Sequence, residues 1–346
     1  RHFVASPGWG DGYTSRAVQI AIHHFFTNDV TGDLQGQYAH VWTAVARHFR
    51  NNPNVIGYEV YNEPNDFLVK NFNPELSCDY GGWAHEPKSC LQSHTQPVPD
   101  GLIGAIERSG GDHLVFFEPS GATDYGVPET LGISAPLRFP RLALAFHVYG
   151  SIPQQLAQTA GERDRTRTEQ PGGPGWIMDE FGGTGLGPPT AQAVSAADAI
   201  HLSWAYWSAM QLDDPTGAGP DEGLLDQQTR LPYLAVAHAL AVPYPWATAG
   251  EPGGQSFNYA GRSFHYSYLP DYKIRAPTEI SVPGYTYPHG YAVRLHGAKM
   301  VSRPGAAVLE VVAKRPPPPR RHRRAGPSKP RVPAPPTPVT VTITPR

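Results

Sequence analysis

The chain has 346 residues, 40% of them hydrophobic, which is enough for one or two domains with a sizeable core. No run of about 18 or more apolar residues occurs, so the sequence predicts no membrane-spanning helix. The net charge of −2 is uneven, because residues 314–346 hold nine of the 28 Lys and Arg residues and none of the 30 acidic ones, which leaves −11 for the rest. That balance does not favour nucleic acid or an anionic surface as a partner of the main body.

The first predicted elements are two helices that follow a loop rich in Gly and aromatic residues. Apolar spacing of three and four predicts helices over 16–27 and 33–50, with Asp33 as the N-cap of the second. The chain begins at Arg1 without a signal peptide, and we expect it to be cut at its start. Three residues of the first loop are interpreted as surface residues, with a place in a cleft as the alternative: Trp9, Asp11 and Tyr13.

The stretch 55–64 is an apolar run that ends in an amide, a carboxylate and a proline. Its Val, Ile and Tyr residues favour a buried strand, and Pro64 ends the strand because proline cannot donate to a sheet ladder. Asn62 and Glu63 are therefore predicted at the carboxyl end of a strand, where α/β folds place their active sites. The alternative is a strand-end carboxylate that faces water.

The next loop, 65–97, contains the two cysteines, Cys78 and Cys90. The eleven residues between them suit a local disulfide in an exported protein, and two unpaired thiols are the alternative. Two cysteines without a second pair do not favour a zinc site.

Further strands then alternate with helices, and each strand ends in polar or aromatic groups. This order predicts a parallel α/β sheet of the (β/α)8 TIM-barrel type, although only five strands are counted where a closed barrel has eight. Nucleotide signatures such as G-x-G-x-x-G after the first strand are absent. The predicted strands are 114–118, 142–149, 176–182 and 203–207, and the predicted helices are 99–109, 152–169, 189–202 and 230–241.

From residue 243 the pattern changes to short alternating segments between Gly and Pro turns. This pattern predicts a small antiparallel β-sandwich over 243–313, after a catalytic domain that spans 1–242. Its predicted strands are 257–259, 263–268, 278–282, 291–295 and 307–312. The Pro- and Arg-rich segment 314–338 is predicted to be disordered. Residues 339–346 alternate again and are interpreted as a last strand of the sandwich.

The strand ends carry three candidate carboxylates, Glu63, Glu118 and Glu180. Glycoside hydrolysis uses two, one to protonate the leaving oxygen and one to attack the sugar carbon or activate water. Their surroundings must separate their pKa values. Glu118 precedes Pro119 as Glu63 precedes Pro64, so spacing does not choose between them.

The stretch 61–64 resembles the Asn-Glu-Pro signature of glycoside hydrolase family 5, and 178–182 resembles the second signature of that family. Within the family, the sequence of residues 1–313 is most similar to bacterial endoglycoceramidases, which cleave glycosphingolipids between sugar and ceramide. The resemblance makes the strand at 55–61 the fourth of the barrel, so we expect about three strands and their sugar-binding groups to be missing. The segments that resemble endoglycoceramidases are 52–58, 117–119, 146–149, 180–184, 205–208 and 242–245.

The resemblance implies roles for individual residues. Glu63 would be the acid/base and Glu180 the nucleophile of a retaining reaction, with carboxyl groups about 5–5.5 Å apart. Asn62 would bind the sugar 2-hydroxyl, His147 and Tyr149 would lie near the nucleophile, and Tyr149 would hydrogen-bond Glu180. Trp207 would lie under the reacting sugar. Glu118 is interpreted as a structural or rim residue, and strand alternation predicts that Asp179 points away from Glu180.

The resemblance therefore implies a secreted, monomeric enzyme that hydrolyses the bond between sugar and ceramide by double displacement. It would take a glycolipid or oligosaccharide substrate, contact a membrane surface transiently, and need no metal or cofactor. One alternative is a family 5 endoglucanase or β-glucosidase that acts on polysaccharides or simple glucosides. Another is an inactive fragment, or a remnant that binds carbohydrate or lipid.

Overall fold

The computed structural model describes residues 15–27, 31–63, 101–118, 141–149, 153, 156–157, 160, 175–182, 187–209, 223–226, 228–315 and 337–346. Both cysteines, the candidate loop residues near Trp9 and residues 316–336 lie outside these ranges. Among the described residues, no helix is long and apolar enough to cross a membrane. The chain divides into two compact units, one of Arg1–Gly185 with Leu202–Tyr233 and one of Leu186–His201 with Leu234–Arg346.

The first unit contains one sheet of five strands in the order β1-β2-β3-β4-β5, and every neighbouring pair is parallel. Because the strands follow chain order and run the same way, their carboxyl ends meet at one edge. This confirms the predicted α/β class. The elements are β1 Gly57–Glu59, β2 Leu114–Phe117, β3 Leu142–Val148, β4 Gly175–Phe181 and β5 Ser203–Trp204, with helices α1 Arg16–Thr27, α2 Leu34–Phe49 and α3 Gly101–Ser109.

Packing between α2, β1 and β2 fixes the start of this sheet. Asp33 is the N-cap of α2 as predicted, since its side chain accepts a hydrogen bond from Gly36 N at 3.1 Å. Tyr58 of β1 is buried, and its hydroxyl donates to the Ala46 carbonyl of α2 at 3.1 Å. A side chain at Gly57 would meet the Phe116 ring at 2.5 Å, so only glycine lets β1 lie this close to β2.

The second unit contains two four-stranded sheets, β10-β13-β8-β7 and β11-β12-β9-β6, with antiparallel pairing throughout. Both sheets contribute to one buried core, for example Tyr266 and Ile343 from the first and Ile280 and Leu309 from the second. This confirms the predicted antiparallel β-sandwich. The elements are α4 Gly187–Ala199, α5 Leu234–Leu240, β6 Tyr244–Ala247, β7 Gly250–Asn258, β8 Ser263–Pro270, β9 Thr278–Ser281, β10 Tyr291–His296, β11 Ala298–Met300, β12 Val308–Ala313 and β13 Val339–Pro345.

Several element bounds differ from those predicted. Strands β6 and β11 were not predicted, nor were residues 250–256 of β7, whose proline and glycines at 252–254 resemble a turn. The register between β7 and β8 shifts between Pro252 and Gln255, so an irregularity in the ladder accommodates these residues. Helix α5 is shorter than predicted, and β1 keeps only three residues of the predicted strand. The boundary at residue 242 stays a prediction.

Candidate active site

The carboxyl ends of β1 to β4 bring together six polar side chains around one histidine, those of Glu59, Glu63, Glu118, Tyr149, Asp179 and Glu180. His147 lies in β3 and is 2% exposed. Glu63 follows β1, Glu118 follows β2 directly, and Tyr149 follows β3. Parallel strands in register place these ends side by side, which is why residues far apart in sequence meet here.

Both predicted catalytic carboxylates approach the same nitrogen of His147. Nδ1 lies 2.8 Å from Glu63 Oε1 and 3.3 Å from Glu180 Oε2. One oxygen of each carboxylate and a His147 ring nitrogen all lie within 4.8 Å of one another. A separation of this size suits the pair of a retaining glycosidase better than the wider gap that an inverting enzyme needs for water.

Tyr149 also lies where the sequence analysis predicts. Its hydroxyl donates a hydrogen bond to Glu180 Oε2 at 2.7 Å. This bond fixes the orientation of the carboxylate and favours its ionised form.

A break in strand register places Asp179 beside the same histidine. The β3–β4 ladder pairs Phe146 with Met178 and His147 with Glu180, so Asp179 is one extra residue on β4. Asp179 Oδ1 lies 4.0 Å from His147 Nε2, while Glu180 contacts Nδ1. Asp179 and Glu180 thus approach opposite sides of the imidazole, as alternation predicts for their side chains, but the bulge keeps both of them beside one histidine.

Glu118 is part of the cluster, so of its two interpretations, structural residue or rim residue, the rim one is wrong. It is 2% exposed, its Oε2 accepts a hydrogen bond from the Glu63 N–H at 2.7 Å, and its Oε1 lies 3.4 Å from His147 Nε2. A sequence signal for this contact exists: Glu-Pro follows both β1 and β2, which are neighbours in the sheet. The same dipeptide just beyond two adjacent parallel strands indicates that the two carboxylates lie near each other.

The electrostatics of the cluster favour a charged histidine. Burial alone would lower the pKa of His147, but hydrogen bonds with Glu118 and Glu63, together with the charges of Glu118 and Glu180, raise it to about 12. His147 is therefore an imidazolium at neutral pH. Its positive charge partly offsets the carboxylates that surround it.

Two carboxyls near His147 Nε2, those of Glu118 and Asp179, have pKa values above those of ordinary carboxyl groups. Burial raises the pKa of Glu118 and of Asp179, contacts with Glu59 raise both further, and His147 opposes the rise. These groups therefore retain protons at a pH where exposed carboxyls have lost them. The protons and the imidazolium let several acids occupy a small volume.

The pKa of Glu180, the predicted nucleophile, is also raised. Burial raises the pKa of Glu180, whereas the His147 charge and the Tyr149 hydrogen bond lower it. The nearby Glu63 raises this pKa again, since two like charges close together disfavour each other. Glu180 can act as an anion only above this raised pKa.

The chain leaves β1 in an unusual backbone conformation. Glu63 has a φ of +43°, in the left-handed region that residues with a Cβ rarely adopt, and it is 4% exposed. Before it, the Tyr38 hydroxyl donates to the Val60 carbonyl at 2.5 Å, and Tyr61 stacks on Phe25 with ring centroids 5.4 Å apart. These contacts hold the strand end from the helix side.

Asn62 and Trp207 lie beside this cluster with more exposed side chains. Asn62 is exposed next to Glu63, and Trp207 is 40% exposed. The Trp207 N–H donates to the Phe181 carbonyl at 2.9 Å, which ties the indole-bearing residue to the end of β4. Their predicted roles toward a sugar stay predictions.

The described part of the chain also brings together four groups that could bind a divalent cation. Glu59, Glu118, His147 and Asp179 each offer one ligand atom, all within 4.8 Å of one another. Carboxylates and imidazole are ordinary ligands for such ions. The imidazolium and the retained protons provide a second explanation for the same cluster, because they balance its negative charge without a cation.

Comparison with protein families matches both parts of the chain. The family "Cellulase (glycosyl hydrolase family 5)" matches residues 16–213, and the "Glycoside hydrolase family 5 C-terminal domain" matches residues 243–323. Endoglycoceramidase I of Rhodococcus hoagii (strain 103S) is 31% identical over 313 residues, which cover 83% of this chain and 57% of that protein. The chain thus spans little more than half the length of this relative.

Solved structures of the same kind are similar over almost the whole chain. Endo-glycoceramidase II from Rhodococcus sp., in its lactosyl-enzyme intermediate, gives a TM-score of 0.70 at 25% identity and covers 99% of this chain and 71% of that one. Its complex with ganglioside GM3 gives 0.68 at 24% identity, with 99% and 70% covered, which supports the fold alone.

Proposed function

The chain belongs to glycoside hydrolase family 5, and from this we infer that it is a retaining β-glycosidase that hydrolyses the bond between the sugar and the ceramide of glycosphingolipids. The observation that carries the inference is the approach of Glu63 and Glu180 to one nitrogen of His147. Two carboxylates this close, in different surroundings, suit double displacement.

In the first step, Glu180 attacks the anomeric carbon and the bond to the leaving oxygen breaks. Glu63 donates its proton to that oxygen, so ceramide leaves as an alcohol. The sugar is then an ester of Glu180. The Tyr149 hydrogen bond and the His147 charge both favour the anionic nucleophile that this step needs.

In the second step, Glu63 removes a proton from water, and the water attacks the same carbon. Formation of the ester removes the negative charge of Glu180. Because that charge favours a proton on the neighbouring carboxyl, its loss lets Glu63 remain a carboxylate after it has protonated the leaving oxygen, and this is the form that a general base needs. The second displacement restores Glu180 and releases the sugar with its original configuration.

A glycolipid substrate is supported by the proteins that this chain resembles. The curated relative is named for endoglycoceramidase activity, and a similar solved structure at 25% identity is the lactosyl-enzyme intermediate of an endo-glycoceramidase. Secretion, a monomeric state and transient membrane contact stay predictions.

A hydrolysis panel tests the substrate class. Lactosylceramide, a cellulose oligomer and an aryl β-lactoside are offered to the protein and to a Glu180→Gln variant as a blank. We expect release of lactose from lactosylceramide by the wild-type protein alone. Turnover restricted to the cellulose oligomer would instead favour a family 5 endoglucanase, the candidate that the cellulase match supports.

A further inference from the structure

We propose that Glu118 is a positioning residue for the acid/base Glu63, an inference that rests on the proposed function. Its two oxygens contact different groups. One accepts the backbone N–H of Glu63 at 2.7 Å, and the other lies 3.4 Å from His147 Nε2. Through these contacts one buried carboxylate fixes both the backbone of Glu63 and, by way of His147, its side chain.

The backbone of Glu63 needs such a contact because the ladder between β1 and β2 has ended before it. The last paired residues are Glu59 and Phe116, and the Val60 N–H still donates to the Phe116 carbonyl at 3.1 Å. Glu63 lies three residues further on, with its φ in the left-handed region. The Glu118 side chain thus takes the place of a ladder bond at the point where the backbone is least favourable.

The side chain of Glu63 is held by the same arrangement. Its Oε1 lies 2.8 Å from His147 Nδ1, and the other ring nitrogen, Nε2, lies 3.4 Å from Glu118 Oε1. Glu118, Glu63 and His147 therefore form a closed ring of contacts across three neighbouring strands. All three side chains are at most 4% exposed, so water does not compete with these contacts.

A ring of this kind limits both the position and the orientation of the carboxyl that must meet the leaving oxygen. Proton transfer to a leaving group depends on heavy-atom distances near 3 Å, roughly 2.6–3.2 Å. Removal of Glu118 takes away a hydrogen-bond acceptor from the Glu63 amide and the nearer of two carboxyls at His147 Nε2, where Asp179 lies 4.0 Å away. The consequence is loss of proton donation, while the nucleophile keeps its own contact with Tyr149.

The test compares two substrates that differ in their need for a proton. Lactosylceramide has a poor leaving group, whereas the dinitrophenolate group of dinitrophenyl β-lactoside leaves without protonation. For Glu118→Ala we expect kcat/KM to fall about 100-fold on lactosylceramide and by less than about fivefold on the dinitrophenyl substrate, since general acid catalysis contributes about 10²–10⁴. Uniform damage to the fold would lower both rates equally.

Glu118→Gln separates the two contacts of Glu118. Its amide oxygen can still accept the Glu63 N–H, but its amide NH2 group then faces His147 Nε2 and cannot accept a hydrogen bond there. We expect a loss on lactosylceramide of about tenfold, smaller than that of the alanine variant, with the same preference between substrates. Because Gln matches Glu in shape, this variant carries the test if the alanine variant does not fold.

Glu107→Gln is the matched control. Glu107 in α3 also accepts a backbone N–H from a neighbouring segment, that of Arg141 at 3.2 Å, but it lies outside the cluster. We expect its rates on both substrates to equal those of the wild type. Far-UV circular dichroism and thermal melting verify that all variants are folded.

Glu63→Gln separates failure of this inference from failure of the proposed function. If Glu63→Gln does not discriminate between the two substrates, the proposed function fails. If it discriminates and the Glu118 variants lose both activities equally or lose neither, only the positioning role is overturned. Substrate-dependent loss in both Glu63 and Glu118 variants, with an unchanged control, supports it.

Discussion

Asp179 and Glu180 are adjacent in β4, yet they approach opposite nitrogens of one imidazole, at 4.0 Å from Nε2 and 3.3 Å from Nδ1 of His147. In a regular strand, consecutive side chains point to opposite faces of the sheet. The extra residue on β4 removes this restriction. Asp179 therefore joins the acids around His147, whereas a regular strand would have directed its side chain to the other face of the sheet.

Asp179→Asn is expected to stabilise the protein increasingly as the pH rises. The pKa of Asp179 is raised by burial and by Glu59, so the folded wild type holds a proton that the unfolded chain releases. The wild type therefore loses stability as the pH rises above the unfolded value of about 3.9, by at most about 1.4 kcal/mol per pH unit, until the folded carboxyl ionises.

The measurement for Asp179→Asn is the free energy of unfolding of both proteins in denaturant at about pH 5 and about pH 8. The gain of the variant should be larger at the higher pH. A gain that shrinks with rising pH would show that the ionised Asp179 stabilises the fold through His147 instead.

Glu180→Gln is expected to lower kcat by at least about four orders of magnitude, because loss of a covalent nucleophile leaves only binding and electrostatic contributions. A lactoside with fluorine at carbon 2 and dinitrophenolate as leaving group should esterify the wild-type protein. Mass spectrometry of peptides should place the label on Glu180. Label on Glu63 or Glu118 would contradict the assignment.

Tyr149→Phe is expected to move the acid limb of the pH profile to higher pH. The Tyr149 hydrogen bond lowers the pKa of Glu180, so its removal raises that pKa, and the anion forms only at higher pH. Activity should therefore be lost earlier as the pH falls. The measurement is kcat/KM for the dinitrophenyl lactoside across the acid range.

Tyr58→Phe is the control for Tyr149→Phe. It also removes a hydroxyl that is hydrogen-bonded in the first unit, but its partner is the Ala46 carbonyl of α2. Its acid limb should coincide with that of the wild type. A shift of the Tyr149→Phe limb toward lower pH would overturn the proposed contact with the nucleophile.

Dialysis against a chelator is expected to leave hydrolysis unchanged. Both proposed steps use carboxyl groups and water, and the imidazolium of His147 already offsets the charge of its acidic neighbours. The check is activity and metal content before and after EDTA treatment. Loss of activity that returns with a divalent cation would instead assign metal binding to Glu59, Glu118, His147 and Asp179.

The sequence was sufficient for features that depend on one strand at a time. Apolar runs that end in Asn62-Glu63 or Glu180 located the strand ends, and chain order placed these strands in one parallel sheet. The contact of Tyr149 with Glu180, which the family resemblance implied, agrees with this order, because β3 and β4 are adjacent.

Features that depend on two strands together escaped the sequence analysis. The extra residue at Asp179 is a property of the β3–β4 register, and alternation within β4 does not reveal it. Glu118 was left without a defined role because its own strand offers no reason for burial. Its reason lies in the amide of Glu63, on another strand. Strand β7 was shortened for a related reason, since the ladder to β8 stabilises residues that locally favour a turn.

The place of β13 in its sheet has a consequence for synthesis on the ribosome. β13 lies between β8 and β10, although both partners precede it in the chain, and Val341 pairs with Tyr266 on one side and Leu295 on the other. Until β13 has been translated, β8 and β10 each have an edge without its partner, and open edges invite pairing with other chains. A premature stop codon in the Pro- and Arg-rich segment would therefore remove a central strand of the sandwich, and we expect the shortened product to aggregate or be degraded.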